Sequence, residues 1–211
     1  MSTVRVLEGL GNDDSSVRLR AALQIGTTPD LRFVDELVER CAIEPDFSVR
    51  EMLTWALTRH PTSTTVPRLV GELGSERAQA RSQALHTLSK IGDRQAWPAI
   101  TRAFLTDADD DVARSAWRAA VVLVPDGEKG ELAGVLATQL GRGGRETQLS
   151  LARSLIALGE VGIVRAATTD PDPRIRRHAI ATQRLWRDPD AGFEVAIEEA
   201  KRVVALGPAG Q

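Results

Sequence analysis

Apolar and small residues recur along the chain at helical spacing, with no sustained strand-like alternation. A small or apolar anchor, often followed by Arg, is succeeded by another such residue at +4 and usually at +8. This occurs in VRLRAALQIG, VREMLTWALT, ARSQALHTLSKIG, VARSAWRAAVVLV, TQLSLARSLIALG and IRRHAIATQRLW. The anchors Val17, Val49, Ala80, Val112, Thr147 and Ile175 stand 32, 31, 32, 35 and 28 residues apart. That interval is the length of two helices and two turns, so the chain reads as about six helix pairs. Positions 0, +4, +8 and +11 share one side of a 3.6-residue helix, which makes Ala84, Leu88 and Ile91 a buried stripe in the third pair and Leu151, Leu155 and Leu158 its counterpart in the fifth.

Punctuation residues agree with this reading. Asp14, Asp46, Asp109 and Asp172 lie three residues before an anchor, where a carboxylate accepts orphan backbone N–H groups and complements the helix dipole. Gly26, Gly92 and Gly159, with Pro61 and Pro125, are placed to close the same helices. The intervening segments, near 3–10, 30–41, 64–73, 93–105, 128–140 and 160–168, supply the first helix of each pair. Pro67 and Pro98 are expected in the first turns of theirs. Phe193, Ile197, Ala200 and Val204 share one face of 191–206, a capping helix, and GPAGQ follows as a flexible tail over 207–211. The expected fold is therefore all-α: a right-handed α-solenoid forming a single domain over 1–206, with repeats near 1–27, 28–61, 62–92, 93–125, 126–159 and 160–188.

Composition narrows the function. Tyr is absent and aromatics make up 4% of 211 residues, a balance that favours helices over strands. The formal net charge of −2 excludes a polycation, so any basic surface is local. Cys41 is the only cysteine, which rules out an internal disulfide and suits a reducing, cytoplasmic setting; its expected role is that of a small buried apolar residue. No secretory leader or membrane-length apolar run is evident, so a soluble chain without a membrane partner is expected.

DSSVRLRAAL, DFSVREML and DPDPRIRRHA resemble the HEAT-like repeat, in the short-period variety associated with phycobilisome lyases. The resemblance spans 13–188, with Ala113 and Gln148 in place of the usual Arg. It implies stacked pairs whose second helices line a concave wall. It also implies a ladder of bonds from unit to unit involving Asp14, Arg18, Asp46, Arg50, Arg81, Asp172 and Arg176.

A different set of arginines points to a surface. The segments 112–124, 147–158 and 174–187 contain Arg114, Arg118, Arg153, Arg174, Arg176, Arg177, Arg184 and Arg187 and no acid, which predicts a positive strip. Trp55, His86, Arg118 and Arg153 share the +6 position, and Arg114 and Arg177 share +2. Together with Arg184 they are the candidate partner-binding residues. Trp117 and Trp186 are expected in the core.

Catalytic signals are weak. His60, His86 and His178 fall in different units, outside any HExxH or Cys-rich pattern, and GxSxG and Walker sequences are missing, so no catalytic residue, metal or cofactor is expected. Asp109, Asp110 and Asp111 serve a helix start, and LGRGGRE over 140–146 reads as an inter-helix turn more readily than as a phosphate cradle. The leading expectation is a non-enzymatic scaffold that binds an acidic segment of a protein partner. Nucleic-acid binding, by similarity to HEAT-like alkylpurine DNA glycosylases, is the alternative, and bilin-lyase-like assistance a second. Nothing in the pattern sets an oligomeric state.

Overall fold

In the computed structural model, which describes residues 3–206, every regular element among the described residues is helical. Contacts divide the chain into two compact units, Met1–Leu123 and Val124–Gln211.

The first unit holds α1 (Thr3–Leu10), α2 (Ser15–Thr27), α3 (Val34–Cys41), α4 (Phe47–Thr58), α5 (Thr62–Glu72), α6 (Ala78–Ile91), α7 (Arg102–Leu105) and α8 (Asp110–Leu123). Second helices pack in series, α2 on α4, α4 on α6 and α6 on α8, while each first helix packs on its own partner. A single pair cannot bury both of its apolar faces, so stacking completes the core. Leu53, Leu57, Leu85, Leu88, Val112 and Trp117 are fully buried or nearly so.

The second unit holds α9 (Lys129–Ala137), α10 (Arg145–Leu158), α11 (Val161–Ala167), α12 (Pro173–Arg187) and α13 (Gly192–Leu206). Here α10 packs on α12, α11 on α12, and α12 on α13. Phe193, Ala196 and Ala200 of α13 close over Ala152, Ala181 and Leu185, with Ile197 half-buried beside them. The tail expected over 207–211 lies outside the described residues.

The helices begin and end where side-chain chemistry requires. Asp14, Asp46 and Asp172 cap α2, α4 and α12, each carboxylate accepting a first-turn N–H. Asp109 does the same for Asp111 and Val112 at distances of 2.9 and 3.1 Å. Gly92 and Gly159 end α6 and α10 at φ of 70° and 80°, in the left-handed region that favours glycine.

Three local expectations need correction. Gly26 lies inside α2 rather than beyond its end, and its missing Cβ leaves room there for the Trp55 ring. Pro67 sits in the second turn of α5, since that helix starts at Thr62. The helix expected over 93–105 is broken: 94–99 closes as a 3-10 turn containing Pro98, and α7 begins only at Arg102. A proline ring clashes with the carbonyl four residues back, so an α-helix cannot run through it undisturbed.

Candidate functional site

The candidate surface residues fall into two groups, one in each unit. In the first, Leu23, Trp55, His86 and Arg118 occupy the same register position on the successive helices α2, α4, α6 and α8. Leu23 and Trp55 remain 43% and 38% exposed. The Trp55 ring lies over Gly26, where any Cβ would come within 2.7 Å of Cε3 and nearer still to Cζ3. Half-buried His86 places Nε2 3.1 Å from Oε1 of Glu51, one turn before Trp55. Burial lowers the His86 pKa, and Glu51 opposes that shift. Exposed Arg118 donates to Ser115 Oγ at 3.0 Å, and Ser115 meets Ser82 at 3.0 Å. Arg114 Nη1 stands 3.5 Å from Asp111. This face is mixed in charge, with an apolar start.

The +1 arginines have a separate, repeated geometry. Arg18 Nη1 donates to the carbonyls of Asn12 and Asp13, both at 2.8 Å. Arg50 reaches Glu44 and Pro45 at 2.9 and 2.7 Å, Arg81 reaches Ser75 and Glu76 at 3.0 Å each, and Arg176 reaches Asp170 and Pro171 at 2.7 and 3.4 Å. Each guanidinium thus folds back onto the turn before its own helix and satisfies two carbonyls there. The capping aspartates Asp14, Asp46 and Asp172 bond their own helix starts. The bonds between repeats run instead to other acids. Arg18 pairs with Glu44 through Nη2 and Nε at 2.7 and 2.8 Å, and Arg81 with Asp107 at 3.4 Å.

Glu44 has a fully buried side chain and also accepts from Arg40 at 2.8 Å and from the Asp46 N–H at 2.9 Å. Burial pushes its carboxyl pKa up, but the bonds from Arg18, the Asp46 backbone and Arg40 outweigh burial and hold it at about 2. Sequence reasoning missed this residue. The signal was present: Asn12, Glu44, Ser75, Asp107 and Asp170 all lie two positions before a helix cap, and each accepts from the N–H of that cap residue.

The second unit carries the more basic site. Arg145, Gln148, Arg177, Ile197, Glu198 and Lys201 line a cavity of about 310 Å3 between α10, α12 and α13. Half-buried Arg177 makes no hydrogen bond or ion pair among the described residues. Glu198, the one acid among the described lining residues, is held by Lys201 at 2.6 Å, which also lowers its pKa. Beside the cavity, buried His178 ties α12 to α10 and the turn before it: Nδ1 accepts from the Gly141 N–H at 3.0 Å and Nε2 faces the Gln148 carbonyl at 2.9 Å. Burial depresses its pKa to about 4, so the ring is neutral at pH 7 and adds no charge. Arg153 is exposed on α10, and Arg184 is half-buried on α12.

Trp117 is fully buried and donates to the Leu105 carbonyl at 2.8 Å, whereas Trp186 is only half-buried. His60 is buried between the carbonyls of Ala56 and Asp30, at 2.9 and 3.2 Å. Burial, with Glu44 adding to it, pushes the Cys41 thiol up to about 12. No group of His, Cys, Asp and Glu among the described residues could hold a metal ion, and no described helix is long and apolar enough to cross a membrane.

Residues 34–120 match the HEAT repeat family. The class is thus defined by its fold, an all-α chain of the solenoid type, with the HEAT match confined to residues 34–120. Among solved structures, the karyopherin Kap121p bound to the extreme C-terminus of the protein phosphatase Cdc14p is similar, at 16% identity over 92% of this chain and 25% of that one, with a TM-score of 0.59. An engineered protein is similar at 20% identity over 96% and 98% of the two chains, with a TM-score of 0.48. The complex of CpcE and CpcF of phycocyanin lyase from Nostoc sp. PCC7120 is similar at 16% identity over 96% and 94%, with a TM-score of 0.40. No curated protein matches the chain.

Proposed function

We propose that this chain is a non-catalytic interaction module that holds an acidic segment of another protein against its second helices. HEAT and armadillo repeat folds commonly mediate protein–protein interaction, and this chain has that fold. The observation that carries the acidic preference is Arg177, a half-buried guanidinium with no acid partner among the described residues, set beside Arg145 and Lys201. A desolvated guanidinium is stabilised by a carboxylate that reaches it, and the bidentate geometry of the pair adds selectivity. In the first unit, Leu23, Trp55 and Arg118 supply apolar contact beside charge.

Fluorescence anisotropy with a labelled peptide alternating Glu and Leu tests this reading. The wild-type chain binds the peptide more tightly than its Lys-for-Glu counterpart, and R177E together with R153E weakens binding at least about tenfold, or ~1.4 kcal/mol. Equal binding of both peptides, or an unaffected double variant, overturns it. Duplex DNA at physiological salt is expected not to bind; retention that falls steeply with salt would establish phosphate contacts instead.

A further inference from the structure

A second cavity in the same unit has a different chemistry. It encloses about 220 Å3 between α11 and α12 and is lined by Val161, Arg165, Gln183, Trp186 and Arg187. Among the described residues the lining contains no acid. Arg165 and Arg187 are exposed, and neither guanidinium has a hydrogen bond or ion pair among the described residues. The half-buried Gln183 amide likewise makes no hydrogen bond among them.

Trp186 is the informative member. Its indole N–H has no acceptor among the described residues, in contrast to that of Trp117, which is seated on a backbone carbonyl at 2.8 Å. Val161, 49% exposed, supplies apolar surface to the same space. A large aromatic side chain kept partly in water, with its N–H open and two unpaired cations at its margin, combines an apolar seat with a set of donors.

The geometry points to a recognition pocket for an apolar side chain carrying a carboxylate on adjoining atoms. Val161 and the indole ring receive the apolar group. Arg165, Arg187, the Trp186 N–H and the Gln183 amide receive the carboxylate. The absence of acid from the described lining sets the sign of the ligand, and a volume of about 220 Å3 has room for about one large side chain. Such a group comes either from the C-terminal residue of a chain or from an internal aromatic–acidic pair. The site lies apart from the cavity around Arg177 and does not depend on the reading proposed for it.

The probe is N-acetyl-phenylalanine, followed through the indole N–H resonances of the full chain, with the Trp186 signal assigned by its loss in W186F. A ligand of about fifteen heavy atoms that fits its pocket binds with a Kd of about 1 mM. The Trp186 resonance is expected to titrate in that range, at least about fivefold more weakly with N-acetyl-phenylalaninamide, which lacks the charge. R165Q with R187Q is expected to lose at least about tenfold, while R177E leaves the titration unchanged. A comparison with N-acetyl-Phe-Glu-amide then separates the two sources: tighter binding of the free acid marks a C-terminus, and tighter binding of the dipeptide marks an internal pair. The proposal is overturned if the Trp186 resonance does not move, if acid and amide titrate alike, or if the double arginine variant binds as wild type while its other resonances show it folded.

Discussion

Single residues decide how charge is tolerated inside this stack. Glu44 is wholly buried, yet two arginines and a backbone N–H surround it. Removing one partner from such a pair leaves an uncompensated buried charge, and R18A is expected to destabilise the chain by about 3 kcal/mol in urea unfolding. Acid acts through the same residues. The Glu44 carboxyl is held at about 2 against an ordinary 4.5, so its stabilisation is complete above that ordinary value and is lost as pH falls toward 2. His178 is held at about 4 against an ordinary 6.5, so the native state resists its protonation and stability falls as pH drops from 6.5 toward 4, by about 3 kcal/mol. Unfolding measured against pH should therefore flatten between 6.5 and 4 in H178Q, and below 4.5 in E44Q; wild-type slopes in both variants contradict these assignments. Gly26 is constrained by space alone. G26A would drive a methyl group into the Trp55 ring and within 2.9 Å of the Ala56 backbone. A loss of about 1–3 kcal/mol with a shift in tryptophan emission is expected.

At the scale of elements, the helices are set by their ends as much as by their stripes. Gly159 ends α10 at φ 80°, and nothing lies within 4 Å of the place an alanine methyl would occupy, so substitution there carries a purely conformational penalty. Gly134 is exposed within α9 and equally free of neighbours, but its backbone is ordinary helix. G159A should destabilise by about 1 kcal/mol and G134A should stabilise by about 0.5–1 kcal/mol. Thermal unfolding distinguishes the two, and equal shifts would contradict the account of the left-handed cap.

At the scale of the molecule, repeat architecture makes stability local within each unit, because a helix pair packs on the pairs beside it. Within the first unit, R18A is expected to lower amide-exchange protection in α2 and α4 more than in α8; uniform loss would indicate a fully cooperative unit. The same locality explains what the linear pattern could reveal. Helix pairs, their caps at Asp14, Asp46 and Asp172, and the buried stripes through Leu88 and Leu155 follow from spacing within a few turns, so they were legible in the sequence. The seat of Trp55 on Gly26, the clasp of Arg18 and Arg40 on Glu44, and the cavities around Arg177 and Trp186 were not. Each depends on which side chains meet across different helices. A period along one chain determines which face of a helix turns inward, and only packing decides what that face encounters.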